Sequence, residues 1–476
     1  MSVFLKILAI GVLILALPAA FFGWRTYTHS TAYLLAKGDR AAEEGKHDEV
    51  ERLAKLLEKK GDVQAAHLLR GEDYVYLGIV ASEVTPPPDP YEDLQRAGQM
   101  VGGSPGLSNQ TLAGRRVLWL FASWHQESRR ISSPALSAFR RGLAELAQIQ
   151  DDGPVGVRGT LLAAECLMHL EEKRLAEEGL KALLKCHPDN KDAHRFLSVI
   201  YIDLNSPMEA VIHLEEWARL DPANGLPYRW IGFFKRDNQQ VGEAIDGYEQ
   251  ALKRRLPPAI RADAIKELAE IYHTEGQSEK ALETLALGSE SFQNDPEILA
   301  LRVNCLRNIV HREQEAVELV ERALQKNPDH PKILFLRAQM FENEDQPGKA
   351  LPLLEKAAQI DPYDLPTLTL LMKVNGELGK KDRADQLKAQ ANEVQDILTR
   401  LSALKTQANS RLWDDSVRLE IALLALKITQ PEQARTWAQA ALACNPGNAK
   451  ARRLLAQLPA KEKTSPSSDS TVLGKK

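Results

Sequence analysis

Cysteine is scarce and scattered: Cys166, Cys186, Cys305 and Cys444 are the four in 476 residues, and no two form a C-x-x-C pair. That spacing suggests neither a disulfide framework nor a zinc ribbon. Aromatic residues make up 6% of the chain and β-branched runs are few, so no strand pattern emerges. An excess of basic charge is missing as well. With a net charge of -4 and no basic run outside short helix faces, the chain lacks the patch that would neutralise phosphates, and nucleic acid is not an expected partner. There is no H-E-x-x-H, no G-x-x-x-x-G-K-[ST] and no C-x-x-C-H. Gly102-Gly103-Ser104-Pro105-Gly106 matches G-x-S-x-G, but a nucleophile elbow needs a strand before its serine and a helix directly after it, and here a helical segment runs into a loop. Cys166, His169, Cys186 and His187 offer zinc-ligand chemistry. However, the two cysteines fall on antiparallel helices at places roughly 13 Å apart, against metal bonds of about 2 Å. Asn109-Gln110-Thr111 fits a glycosylation sequon, a pattern short enough to arise by chance. No catalytic residue, metal or cofactor is expected, and the chain reads as a non-enzyme.

Long hydrophobic runs are absent with one exception. Ile7 to Trp24 reads ILAIGVLILALPAAFFGW without a charge, with Lys6 before it and Arg25 and Tyr27 behind. This is roughly the minimum length that spans a bilayer, and Trp24 and Tyr27 suit its interface. A cleaved signal peptide would share the basic start and apolar core. Yet Pro18-Ala19-Ala20 offers no A-x-A site, and Phe21, Phe22 and Trp24 carry the apolar run past it. The sequence therefore predicts a single-pass transmembrane anchor over residues 1–28. Lys6 faces Arg25, Lys37 and Arg40 across it, so the charge bias does not choose an orientation. The very short leading segment places the rest of the chain outside the cytoplasm, in the periplasm if the source is bacterial.

What is abundant is Ala, Leu, Glu, Lys and Gln, all good helix formers, arranged with a period near 34 residues. Pro188, Pro222, Pro328, Pro362 and Pro446 follow His, Asp or Asn in CHPDN, LDPAN, KNPDH, IDPYD and CNPGN. Some ten residues earlier lies an alanine: Ala176, Ala210, Ala316, Ala350 and Ala434, with Ala244 and Ala281 in two further units. A small residue there lets the second helix of a pair approach the first, and apolar residues four and seven positions later close the seam. Leu214, Tyr248, Leu285 and Leu354 stand at the former places; Ala251, Ala323, Ala357 and Ala441 at the latter.

In ADAIKELAEIYHTEGQSEKALETL, the residues Ile265, Leu268, Ala269, Tyr272, Gly276, Ala281 and Leu285 stand at spacings that resemble the tetratricopeptide repeat (TPR) family. Leu197 and Tyr201, Ile231 and Gly232, and Ala338 and Phe341 occupy corresponding places elsewhere. The resemblance implies an all-α, right-handed superhelical solenoid of helix-turn-helix repeats after the transmembrane helix. It implies degenerate repeats over 31–150, a repeat array over 157–398, a last repeat and capping helix over 411–458, and a polar, disordered tail over 459–476. The links after Ala251 and after Leu285 run long, and the helix containing Ala391 continues through ILTRLSALK before a new unit starts near Trp413.

A helix pair of this kind cannot bury its apolar face alone, so neighbours stack and present a concave wall. In the family the first helix of each pair lines that wall. Carried onto this sequence, the wall takes Arg195, Val199 and Ile202, then Arg229, Phe233 and Arg236, then Lys266, Glu270 and His273, continuing through Leu301, Cys305, Asn308, Phe335 and Gln339. Of these, Arg195, Val199, Arg229, Phe233, Arg236, Lys266 and His273 are the expected partner-binding residues. Arginine forks beside an aromatic ring suit an acidic, partly apolar ligand; the competing reading is that they are solvated charges beside Asp192, Asp203 and Asp237. Phe196, Trp230 and Glu267 stand where some family members carry the Lys and Asn that hold a chaperone tail, so that clamp is not expected. The function expected is a membrane-anchored scaffold or adaptor for other proteins or peptides. The alternative is an accessory subunit that positions a glycosyltransferase, secretion or envelope-assembly enzyme.

Overall fold

The computed structural model describes residues 30–84 and 134–458, which hold twenty-two helices. The chain forms two compact units, Met1–Phe196 and Leu197–Lys476. The first contains α1 (Thr31–Glu43), α2 (His47–Lys59), α3 (Val63–Val84), α4 (Pro134–Leu146), α5 (Pro154–His169) and α6 (Lys173–Cys186), packed as successive pairs. Leu34, Ala41, Val50, Leu53, Leu57, Ala65 and Leu69 form the core of its opening helices. The division between units falls inside α7 (Lys191–Asp203).

The second unit continues through α8 (Pro207–Leu220), α9 (Leu226–Asp237), α10 (Val241–Leu252), α11 (Pro258–Thr274), α12 (Ser278–Leu285) and the single turn α13 (Glu290–Gln293). It then runs through α14 (Pro296–Arg307), α15 (Glu313–Lys326), α16 (Pro331–Asn343), α17 (Pro347–Ile360) and α18 (Leu365–Glu377). It ends with α19 (Lys381–Ser410), α20 (Asp415–Lys427), α21 (Pro431–Cys444) and α22 (Ala449–Gln457). Many of the helices start where the chain supplies a reason. Proline stands at a first or second helical position of α8, α9, α11, α14, α16, α17 and α21, where its missing N–H would have been unpaired anyway. Asp295, Asp364, Asp414 and Asn448 accept backbone N–H groups at the starts of α14, α18, α20 and α22.

The turn inside each pair is equally regular. Glu171, Asn205, Gln239, Gly276, His311, Asp345, Gly379 and Thr429 all adopt left-handed φ, between 50 and 73°. In seven of the eight the N–H that follows donates back five residues, as Ser206 does to the Tyr201 carbonyl and Gln277 to that of Tyr272, whereas Arg312 after His311 donates to the Ile309 carbonyl. Only two of these eight turns carry glycine. The seam alanines Ala176, Ala210, Ala244, Ala281, Ala316, Ala350 and Ala434 are each 0% exposed, so the two helices of a pair meet with no room for a larger side chain. The long links expected after Ala251 and Leu285 are seen: the first forms an irregular strap joined to Asn224 by an isolated β-bridge, and the second contains α13. The extended helix around Ala391 is α19, 30 residues long. α22 lays Ala451 and Leu454 onto the core of the last pair.

Several expectations fall on residues outside those described: the anchor over 1–28, the loop at Gly102–Gly106, the sequon at Asn109, part of the 31–150 region and the tail after 458. Among the described residues no helix is long and apolar enough to cross a membrane.

Candidate functional site

In the second unit the first helices of successive pairs carry a chain of charges, and this chain decides what the expected wall residues can do. α9 presents Arg229, Trp230, Phe233 and Arg236. Arg229 is 3% exposed, and its Nη2 donates to Glu267 Oε1 on α11 at 2.8 Å. Its guanidinium lies 4.6 Å from the Trp230 ring centroid and 5.4 Å from that of Phe233, whose other neighbour is the Arg236 guanidinium at 5.1 Å. Phe233 is half-buried, edge-on to Trp230 at 5.6 Å. Arg236 is shared between Asp237 at 3.7 Å and Glu270 at 3.9 Å.

The chain of charges continues along the stack. Lys266 lies 4.0 Å from Glu270 and 3.8 Å from Glu297, and Glu297 also meets Lys332 and, at 3.5 Å, His330. Lys373 meets Glu342. From α9 to α18 each first helix thus hands a charge to the next, so much of that stretch of wall is neutralised from within. Burial pushes the Glu267 carboxyl above its ordinary range even though Arg229 and Arg236 pull it down, and the Tyr248 hydroxyl is buried beside it. His273 is half-buried; burial lowers its pKa, and its Nδ1 has no hydrogen-bond partner.

The expected residues therefore separate by environment. Phe233, Arg236, Lys266 and His273 lie half-exposed on α9 and α11. Arg229 is on the same helix but locked inward. Val199 is buried at 4% exposure, and farther along the wall Leu301 and Cys305 belong to the core. Arg195 sits in the first unit, where it meets Asp192 at 3.2 Å and covers the Phe196 ring at 4.8 Å. Beside the solvated reading, two of the arginines do meet the nearby aspartates, whereas Arg229 meets a carboxylate from the next repeat. Cys166 is buried and Cys186 exposed.

A second cluster escaped sequence reasoning. In the first unit Arg158 of α5 joins Asp39 of α1, at 3.0 Å, to Glu72 of α3. Glu72 is 4% exposed; burial raises its pKa to about 8, against the opposing pull of Arg158 and with Asp39 adding to the rise. No local signal marked it, since Glu72 stands beside Asp73 and two residues after Arg70 in a stretch of mixed charge.

Comparison with known proteins supports the repeat fold. Residues 313–364, which form α15 to α17 and the turn after it, match the tetratricopeptide repeat family. DnaJ homolog subfamily C member 3 of Rattus norvegicus is 22% identical over 330 residues, covering 64% of this chain and 60% of that protein. Photosystem I assembly protein Ycf3 of Prochlorococcus marinus (strain MIT 9211) is 29% identical over 99 residues, 21% of this chain and 53% of that one. The chain thus spans about three-fifths of the length of the first of these relatives and about half of the second. Among solved structures, YrrB, described as a TPR protein with an unusual peptide-binding site, is 20% identical, with 40% of this chain and 97% of that one covered at a TM-score of 0.34. The matched residues and the helix pairs define an all-helical, TPR-like solenoid.

Proposed function

We propose that the chain is a membrane-anchored TPR scaffold that captures another protein or peptide on the exposed part of the α9–α11 wall and performs no chemistry of its own. The observation that carries this is Phe233: an aromatic ring left half-exposed between the guanidiniums of Arg229 and Arg236, on a wall whose charges are otherwise paired. Such a ring offers apolar area flanked by cations, which suits a partner segment with an apolar side chain beside a carboxylate. Arg229 acts as a support rather than a hand, because its charge is consumed by Glu267. The similarity to a photosystem assembly protein supports a role in gathering other chains. The apolar run before Arg25 supplies the attachment, with the repeats on the extracytoplasmic side.

The test uses the full chain in its native cells with a photo-crosslinking amino acid at Phe233, and at Ile212 of α8 as a control, which is 61% exposed. Capture of one recurrent protein from Phe233 alone, lost on Arg236→Glu, is the expected result. Equal capture from both positions sinks the assignment of the wall. Alkaline extraction of membranes tests the attachment: the full chain should stay in the pellet and a chain starting at residue 30 should leave it.

A further inference from the structure

The last complete pair of the second unit does more than extend the stack. Arg418, on the first turn of α20, is 0% exposed. Its Nε donates to the Leu204 carbonyl at 2.9 Å and its Nη2 to Ser206 Oγ at 3.1 Å. Both acceptors lie in the turn between α7 and α8, at the start of the same unit. The remaining donors satisfy the chain around α20 itself: Nη1 reaches the Arg411 and Asp414 carbonyls at 3.0 and 3.2 Å, and Nη2 the Ala408 carbonyl at 3.4 Å.

Three features make this more than incidental packing. The residues joined are 214 and 212 positions apart, so the contact brings the two ends of the unit together. The guanidinium is buried without a carboxylate hydrogen-bonded to it; the Asp414 and Glu209 carboxylates and the Cys444 side chain act on it only through space. A buried charge held by neutral acceptors is worth keeping only while every bond is made, and removing one side is costly. Finally, the backbones of α20 and α8 have few close approaches to one another. The Lys405 ammonium on α19 also acts through space on Asp237 at the end of α9.

We propose that Arg418 is a latch: it fastens the final repeat of the second unit to the α7–α8 turn, holding that unit closed on itself, and the unit opens by breaking this one junction. Leu204 presents the carbonyl end of α7, where the helix dipole is negative, which suits a cation. The closed form also keeps α19 near Asp237 and therefore near Arg236; any effect on partner capture rests on the wall proposed above, whereas the latch does not.

The experiment is hydrogen exchange with mass spectrometry on the full chain, with small-angle scattering in parallel, for the parent, Arg418→Ala and Ser206→Arg. Ser206→Arg places a second cation against Arg418 without touching the carbonyls around α20, so it decides the matter if Arg418→Ala fails to fold. Expected are a larger radius of gyration and exchange faster by about tenfold or more in peptides over 200–212, with α16 unchanged. Unaltered exchange and scattering in a folded Ser206→Arg chain would overturn the latch.

Discussion

Arg229 shows how far a single residue can be read from sequence. Its place on the first helix of a pair follows from the repeat register, but its partner is Glu267, 38 residues on, and only the stacking of adjacent pairs brings the two together. Removing one member leaves a buried charge uncompensated, so Arg229→Ala or Glu267→Ala should each cost about 3–5 kcal/mol, while Arg229→Met with Glu267→Leu should cost much less. Denaturant midpoints of the three variants check this; a double variant as unstable as the singles would count against a dominant charge penalty. Glu72 makes a pH prediction. Its folded-state pKa is raised from 4.5 to about 8, first by burial. The stabilisation from the protonated form is therefore fully present below the unfolded value and is lost as pH rises towards about 8, because the unfolded chain ionises first. Glu72→Gln should flatten that decline, seen as a smaller difference in urea midpoint between about pH 5.5 and about pH 8.5. A slope unchanged by the substitution would remove Glu72 as its source.

At the scale of the element, the helix pair is set by small residues meeting across a seam. A Cβ built on Gly247 would stand 2.8 Å from the Gly232 Cα, whereas one on Gly242 of the same helix would meet nothing within 4 Å. Gly247→Ala should therefore destabilise α9 and α10, and Gly242→Ala should stabilise by about 0.5–1 kcal/mol through helix propensity. Thermal melts of the two variants moving in the same direction would refute this seam geometry. Ala281 is fully buried between α11 and α12, so Ala281→Phe should cost about 1–3 kcal/mol by overpacking, read as a lower melting temperature. The alanine positions were legible because they recur with the repeat. The left-handed turn residues recur too, from Glu171 to Asn205 to Gln239 and from His311 to Asp345 to Gly379, each 34 apart. They were hidden because most are not glycine: the turn geometry is imposed by pairing of the helices rather than advertised by residue type.

For the molecule, the end of the array is protected by α22, which covers the last pair with Ala451 and Leu454. Leu454→Asp should lift this helix and speed exchange across α21 while leaving α1 to α3 unaffected, since an array of repeats transmits stability mainly between neighbours. Loss of protection throughout the chain would mean that the two units unfold as one.

The sequence by itself determined that this protein is helical, that its helices come in pairs about 34 residues apart, where the spacing stretches and where α19 runs on. All of these follow from local propensity and from the periodic placement of small, apolar and helix-starting residues. Tertiary structure alone decided which charges are spent. Arg229, Glu267, Glu72 and Arg158 look like any surface charges along the chain; whether they face solvent or one another depends on the rotation between successive pairs, which no local pattern encodes. The same holds for Arg418 and Ser206. Their meeting is the sum of the small rotations between every pair in between, a quantity fixed by packing and written at no single position.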